Sequence, residues 1–411
     1  MLHAACILAD YAGTVEVANR TEVRARGTQP AQPNFPSVSL DLADTPSLRV
    51  GLSDRHWKYT LGYSATALLA EAELGAGAAP QLLQTASLLA TWHDRHVELG
   101  LEEDGQYGLV NTGFLLGGGG PATASTTPAP PATGVQALAV PQTITFGSSL
   151  TALTGRFQLG RRWQATTNMG YLMQGGLDGG SQAILPFVRG PRAEAVLAYQ
   201  ATRRDMVETH AIGQHSDTST GPCSPLIVGI KLGEQCSPTS QGVELFEEWR
   251  HHVSRDTELS AGAGASFFQV RLNGDQPFTD RVYPFGIAGL MHTEKIEDQR
   301  TIVRFEVQVA PYLDFRTGVA DERVQGTLLG EVPVRRLVYS GQIGAARSIG
   351  TAFVEPVTLF QALLQVEWHT TRVVSLGAGV RYAWQSQDTL GTFAGEMVFG
   401  FVTLHAPVGR F

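Results

Sequence analysis

Residues 301–316 read TIVRFEVQVAPYLDFR, from Thr301 to Arg316. On an extended strand successive side chains point to opposite faces, so a period of two separates them cleanly. Val303, Phe305, Val307, Val309, Leu313 and Phe315 fall on one face, and Arg304, Glu306, Gln308, Asp314 and Arg316 on the other. A strand of this length far exceeds the five or six residues usual in globular proteins. A tilted membrane-crossing strand needs only about 9–11 residues, so this one spans a bilayer and projects beyond it.

The same texture recurs outward along the chain. Between Thr14 and Arg26, the residues Glu16, Arg20, Glu22 and Arg24 oppose Val15, Val17 and Val23; Val97, Leu99 and Leu101 oppose His96, Glu98 and Glu102. Near the other end, Leu376, Ala378, Val380, Tyr382 and Trp384 oppose Ser375, Gly377, Gly379, Arg381 and Gln385. Mixed charges on one face suit a water-filled lumen, and by themselves they suit the wet face of a soluble sheet equally well.

Turn rhythm separates the two readings. Short polar turns recur at Ser53–Arg55, Asp94–Arg95, Gly160–Arg162, Arg203–Asp205, Ser254–Asp256, Glu294–Gln299, Val334–Arg336 and Thr370–Arg372. Between them lie mostly longer connections near 27–46, 72–80, 109–140, 175–184, 216–240, 273–280 and 348–355, with brief ones near 317–320 and 386–391. Outer-membrane barrels alternate short periplasmic turns with longer extracellular loops. The count predicts an all-β, transmembrane, antiparallel up-and-down barrel of about 18 strands, with 16 as the alternative count. It forms one domain over residues 1–411, with 1–13 as a lead-in and 109–140 and 216–240 as extracellular loops.

Composition agrees. Charged residues make up 17%, against roughly 25% in soluble proteins, and there are 46 glycines. No apolar run approaches the roughly 20 residues of a membrane helix; the nearest, Tyr63 to Trp92, is broken by Glu71, Glu73, Gly75, Gly77 and Pro80. Net charge is -8 with no large basic patch, which argues against nucleic acid as a partner.

Trp57, Trp92, Trp163, Trp249 and Trp368 lie within about six residues of a short turn, as expected of a membrane-interface girdle. The final stretch, GEMVFGFVTLHAPVGRF, ends on Phe411. A terminal aromatic after an alternating strand resembles the signal read by the barrel assembly machinery, although APVGR interrupts the strand. By hairpin rhythm, girdle and Phe411 the chain resembles the porin-class outer-membrane proteins. Within that class it is similar to the wide barrels associated with polysaccharide export.

That resemblance implies a channel for hydrophilic solutes or a polymer such as a polysaccharide, in a Gram-negative outer membrane. It implies outer-membrane lipid as surroundings and periplasmic export components as partners; the oligomeric state stays open. Arg20, Arg24, Glu98, Glu102, Arg304, Glu306, Arg316, Glu367 and Arg381 register as pore-lining residues, and rings of charge tune passage. The start, MLHAACILADYAG, lacks the basic region of a secretory leader, so the expectation is a leader removed or lying upstream.

Cys223 and Cys236 have a spacing that lets a disulfide staple the 216–240 loop in an oxidising compartment, with two free thiols as the alternative. Ile227, Val228 and Ile230 give that loop something to pack with, so it is the better candidate for a constriction. No enzyme is expected: no G-x-S-x-G elbow is present, and Gly262-Ala-Gly264 and Gly377-Ala-Gly379 do not complete a dinucleotide fingerprint. No cofactor or metal site is expected, since His251 and His252 point to opposite faces and His210 and His215 lack zinc-type neighbours. Other classes stay open: a plugged structural or adhesion barrel with the loops as binding surface, a soluble multi-sheet protein and, further off, an outer-membrane enzyme.

Overall fold

Alternation of this kind can be satisfied on both faces only if the sheet has no edge, and here the sheet rolls up completely. The computed structural model describes residues 12–29, 38–70, 81–111, 143–223, 227, 234–296, 299–314, 317–349, 355–387 and 391–410. The barrel strands are β1 (Ala12–Gln29), β2 (Val38–Ser53), β3 (Trp57–Ala70), β4 (Gln81–His93), β5 (Val97–Asn111), β6 (Thr143–Gln158), β7 (Trp163–Gly176), β8 (Val188–Gln200) and β9 (Asp205–Thr218). A short ribbon of β10 (Gly221–Pro222) and β11 (Gln235–Cys236) follows. The wall resumes with β12 (Thr239–His252), β13 (Thr257–Arg271), β14 (Thr279–Ile296), β15 (Gln299–Asp314), β16 (Val319–Val334), β17 (Leu337–Ser348), β18 (Val357–His369), β19 (Val374–Gln387) and β20 (Gly391–Arg410). Neighbours pair antiparallel throughout, and β1 pairs with both β2 and β20, so eighteen strands close into a ring.

In a wall one sheet thick, side chains on the concave face converge and bury one another, while those on the convex face diverge. The register assigns each residue to a face. Val243, Phe267 and Val282 are successive partners across β12, β13 and β14, and Val282 is 71% exposed. One position over, Glu244, Ser266 and Tyr283 form the next row, all buried. Around the ring the buried positions include Glu22, Glu208, His210, Glu244 and Glu248, while Leu153, Leu197, Phe305, Leu364 and Val398 are exposed. Polar residues inside and apolar residues outside invert the pattern of a water-soluble protein. Such a closed barrel satisfies its backbone internally and presents its apolar belt to lipid. No helix among the described residues is long and apolar enough to cross a membrane.

All eight strand junctions at one end span four residues or fewer. Trp57, Trp92, Trp163, Trp249 and Trp368 sit on the outer face at that same end. Trp57 and Trp92 are register partners, Trp163 packs against Tyr199 at 4.6 Å, and the Trp249 indole N–H donates to Asp205 at 3.2 Å.

Two boundaries move. The first long connection is narrower than 27–46, because β1 continues to Gln29 and pairs with β2 as far as Gly27 and Val38. The 175–184 connection holds a short helix, α1 (Gly179–Ile184), capped by Asp178. Gly-Gly-Ser carries little helical propensity, so the cap and the packing of its C-terminal residues, rather than periodicity, hold it. Most of 109–140 lies outside the described residues.

Candidate functional site

The lumen wall is the site, and its chemistry follows from strand parity. Arg20 and Arg24 on β1, Glu98 and Glu102 on β5, Arg304 and Glu306 on β15, Glu367 on β18 and Arg381 on β19 all occupy inward register positions. Arg316 and Phe411 lie outside the described residues. At least five of these inward charges have a partner on the inner face. Arg20 and Arg24 flank Glu22 at 3.1 and 2.6 Å, Arg20 also lies over the Phe401 ring at 3.8 Å, Arg304 pairs with Glu306, and Ser375 donates to Glu367.

A second charged cluster is not legible as a unit in the sequence, where only its His210 is weighed as a zinc ligand and is set aside for want of neighbours at zinc spacing. Glu194 on β8, Glu208 and His210 on β9, and Glu244, Glu248 and Arg250 on β12 share the inner face of three adjacent strands. Arg250 bridges Glu208 at 2.9 Å and Glu248 at 3.2 Å. His210 stacks on Phe246 at 4.3 Å, and Phe246 stacks on Phe285 at 3.9 Å. The second stack skips a strand, which Gly264 permits: it is the register partner of both rings, and a Cβ there would collide with Phe246. The outward residues of β9 are Val207, Thr209, Ala211 and Gly213, too small to make the alternation conspicuous. The available signal was Glu208-x-His210 and Glu244-x-Phe246-x-Glu248-x-Arg250, charges and rings at every second position.

In the ring order β12 stands nine strands from β1 in either direction, so the arginine-rich and carboxylate-rich clusters belong to opposite walls.

The end away from the short turns is narrowed from within. Cys223 and Cys236 form a disulfide across the β10–β11 ribbon. Ile227, carried on the loop it closes, packs with Phe268, Val270, Leu272, Tyr283, Val319 and Ala320. Phe268, Val270, Tyr283 and Val319 point inward from β13, β14 and β16, so Ile227 lies against the inside of the wall. Gly318, at φ 70°, turns the β15–β16 connection in beside Thr218, where any side chain would clash. Ser240 of β12 then donates to the Gly318 carbonyl at 3.4 Å. From the other side α1 leans in, with Ile184 and Leu185 packed among Leu83, Ile144 and Phe146. Ser219 donates to Gln182 at 3.2 Å and joins the two inward segments.

Asp178 fastens α1 to the wall. Its carboxylate accepts from the Ser181 backbone N–H and hydroxyl, both at 2.8 Å, and the Thr145 N–H donates to that hydroxyl oxygen at 2.9 Å. The Ser181 backbone bond first, and its hydroxyl second, hold the Asp178 carboxyl below the usual aspartate range. A carboxyl lowered in the folded state contributes stability that is complete above its unfolded value, near 4, and is lost as pH falls through the folded value. Acid below about pH 4, or Asp178→Ala at neutral pH, is therefore expected to loosen α1 without opening the barrel. Faster cleavage between β7 and β8, by pepsin in acid and by proteinase K for the variant at neutral pH, with an unchanged gel shift of the unboiled protein, checks it.

Against known proteins, a model of the EpsX exopolysaccharide export family matches residues 7–395. The chain belongs to that family. No curated protein matches it. Among solved structures, this EpsX-family chain is similar to the FrpB iron transporter of Neisseria meningitidis (F3-3 variant), at 10% identity and a TM-score of 0.47, over 90% of this chain and 62% of that one. It is also similar to OccK5 (OpdH) of Pseudomonas aeruginosa, at 11% identity and a TM-score of 0.43, over 97% of this chain and 99% of that one. The chain thus spans less than two thirds of FrpB.

Proposed function

We propose that this EpsX-family barrel is an outer-membrane conduit that passes a hydrophilic polymer, an exopolysaccharide, out of the cell. The observation that carries this reading is the family match over nearly the whole chain, joined to a closed ring of eighteen strands whose inner face carries charged and polar residues alongside apolar clusters. Barrels of 16–18 strands leave an aqueous channel unless loops fill it. A wall of paired charges of both signs, with arginines opposite carboxylates, offers many weak hydrogen-bonding positions and no deep single-sign trap. That suits a long polar chain that must keep moving. In this reading the short turns and the tryptophan girdle face the periplasm, where export components deliver the polymer, and the inward loops form the outer gate.

Planar-bilayer reconstitution tests it. Discrete conductance steps are expected, with reversible occlusion by oligosaccharides of the exported polymer added on the short-turn side. Well-assembled protein without steps would sink the conduit and favour the second reading, a plugged barrel whose loops form a binding surface. The infolding of Cys223–Cys236 and α1 is the observation on that side.

A further inference from the structure

The carboxylate cluster on β9 and β12 has a shape that ion pairing with arginine alone does not explain. Glu208 and Glu248 are direct register partners on adjacent strands, like charges whose repulsion Arg250 offsets from one side. His210 enters the same space. Its Nε2 lies 3.4 Å from Glu208 Oε2 and 3.7 Å from Glu248 Oε2, and all three donor atoms lie within 4.8 Å of one another. His210 is 8% exposed, and Nε2 is buried with no hydrogen-bond partner.

The opposite ring nitrogen is occupied. Nδ1 lies 3.4 Å from Glu194 Oε1 on β8, so a proton on Nδ1 goes to Glu194, and the Nε2 position facing the two carboxylates is filled by a second proton or by a metal ion. A carboxylate behind a histidine is how metal-ligating imidazoles are oriented and kept in the right tautomer. Phe246 and Phe285, stacked beneath the ring, fix its plane. Two donors of a tetrahedral zinc ion, each about 2.0–2.1 Å from the metal, stand about 3.3–3.4 Å apart. The separations from His210 Nε2 to the two carboxylates are close to that edge.

The geometry points to a divalent transition-metal site formed by His210, Glu208 and Glu248, with Glu194 as the positioning residue behind the histidine. One imidazole and two carboxylates suit zinc better than calcium or magnesium, which prefer all-oxygen shells. The ion takes the place of the Arg250 guanidinium, which bridges the same two carboxylates from a side chain 33% exposed to the lumen. A loaded site therefore frees Arg250 and adds positive charge to the carboxylate-rich wall. This inference is independent of what the lumen conducts.

Zinc titration into the detergent-solubilised, chelator-stripped barrel, followed calorimetrically, tests it. One saturable site per chain is expected. His210→Ala is expected to abolish it and Glu194→Gln to weaken it about 10–100-fold. Arg250→Gln removes the competing cation and is expected to tighten it. All variants are first checked for barrel assembly by gel shift. No saturable site in the wild type, or equal binding by assembled His210→Ala, overturns the proposal. If His210→Ala does not assemble, Arg250→Gln decides, and an affinity no tighter than wild type overturns it.

Discussion

Phe305→Arg is expected to destabilise the folded barrel by roughly 2–4 kcal/mol, the cost of a cationic side chain on the lipid face near the bilayer midplane. Phe305 is the seventh residue of β15, exposed on the outer face between its outward register partners Leu290 and Leu328. Folded domains hold only about 5–15 kcal/mol in all, so the loss is a large share. The matching control puts the same charge through the wall. Thr327→Arg lies on the inner face of β16 as the register partner of Glu306, where water and a carboxylate receive it, and little change is expected. Urea unfolding in detergent, followed by tryptophan fluorescence, separates the two. Equal destabilisation by both would mean that the faces are assigned the wrong way round.

Ile227→Asp is expected to free the inward loop between β9 and β12. The side chain is buried against Phe268, Val270 and Val319. Removing a buried isoleucine costs about 2–5 kcal/mol, before the penalty of burying a charge. Cys223→Ser with Cys236→Ser acts on the same element by a separate route, because opening a loop of this length returns roughly 3 kcal/mol of chain entropy to the unfolded state. Barrel strands do not depend on either contact, so the heat-modifiable shift is expected to persist. In bilayers both variants, and the wild type under reductant, are expected to show larger and noisier conductance steps. Steps identical to the oxidised wild type would show that the loop does not obstruct the lumen.

The wall was legible in the sequence to a degree that the mouth and the carboxylate cluster were not. In β15 and β19 lipid selects large apolar residues on one face and water selects polar residues on the other, so each strand announces itself. Turns short enough to force a hairpin add the rhythm, and the tryptophans mark the membrane boundary. The same reasoning fails at β9, where Thr209, Ala211 and Gly213 blur the outer face and hide the regular spacing of Glu208 and His210. A site assembled from β8, β9 and β12 needs the register, since Glu248 is brought to His210 by pairing across a loop. Helix α1 fails for a different reason: a six-residue turn held by one cap and by Leu185 has no period to read. Inward packing of the 216–240 loop was foreshadowed by Ile227, Val228 and Ile230, of which Ile227 is buried against the wall and the other two lie outside the described residues.

Seventeen of the barrel's strand pairings join neighbours along the chain, and one joins its two ends. The seam runs from Thr14 opposite Arg410 to Gln29 opposite Ala394, with a bulge at Val15 and Glu16. Loop-closure entropy grows with the length enclosed, and contacts between distant residues form late. Until β20 docks, β1 has no second neighbour, and an open edge strand is a site for wrong pairing. Biogenesis of this protein therefore has a built-in waiting period, during which some other surface must shield the first strand and hold the ends near each other. A truncation that removes β20 is expected to leave a chain that never escapes that custody.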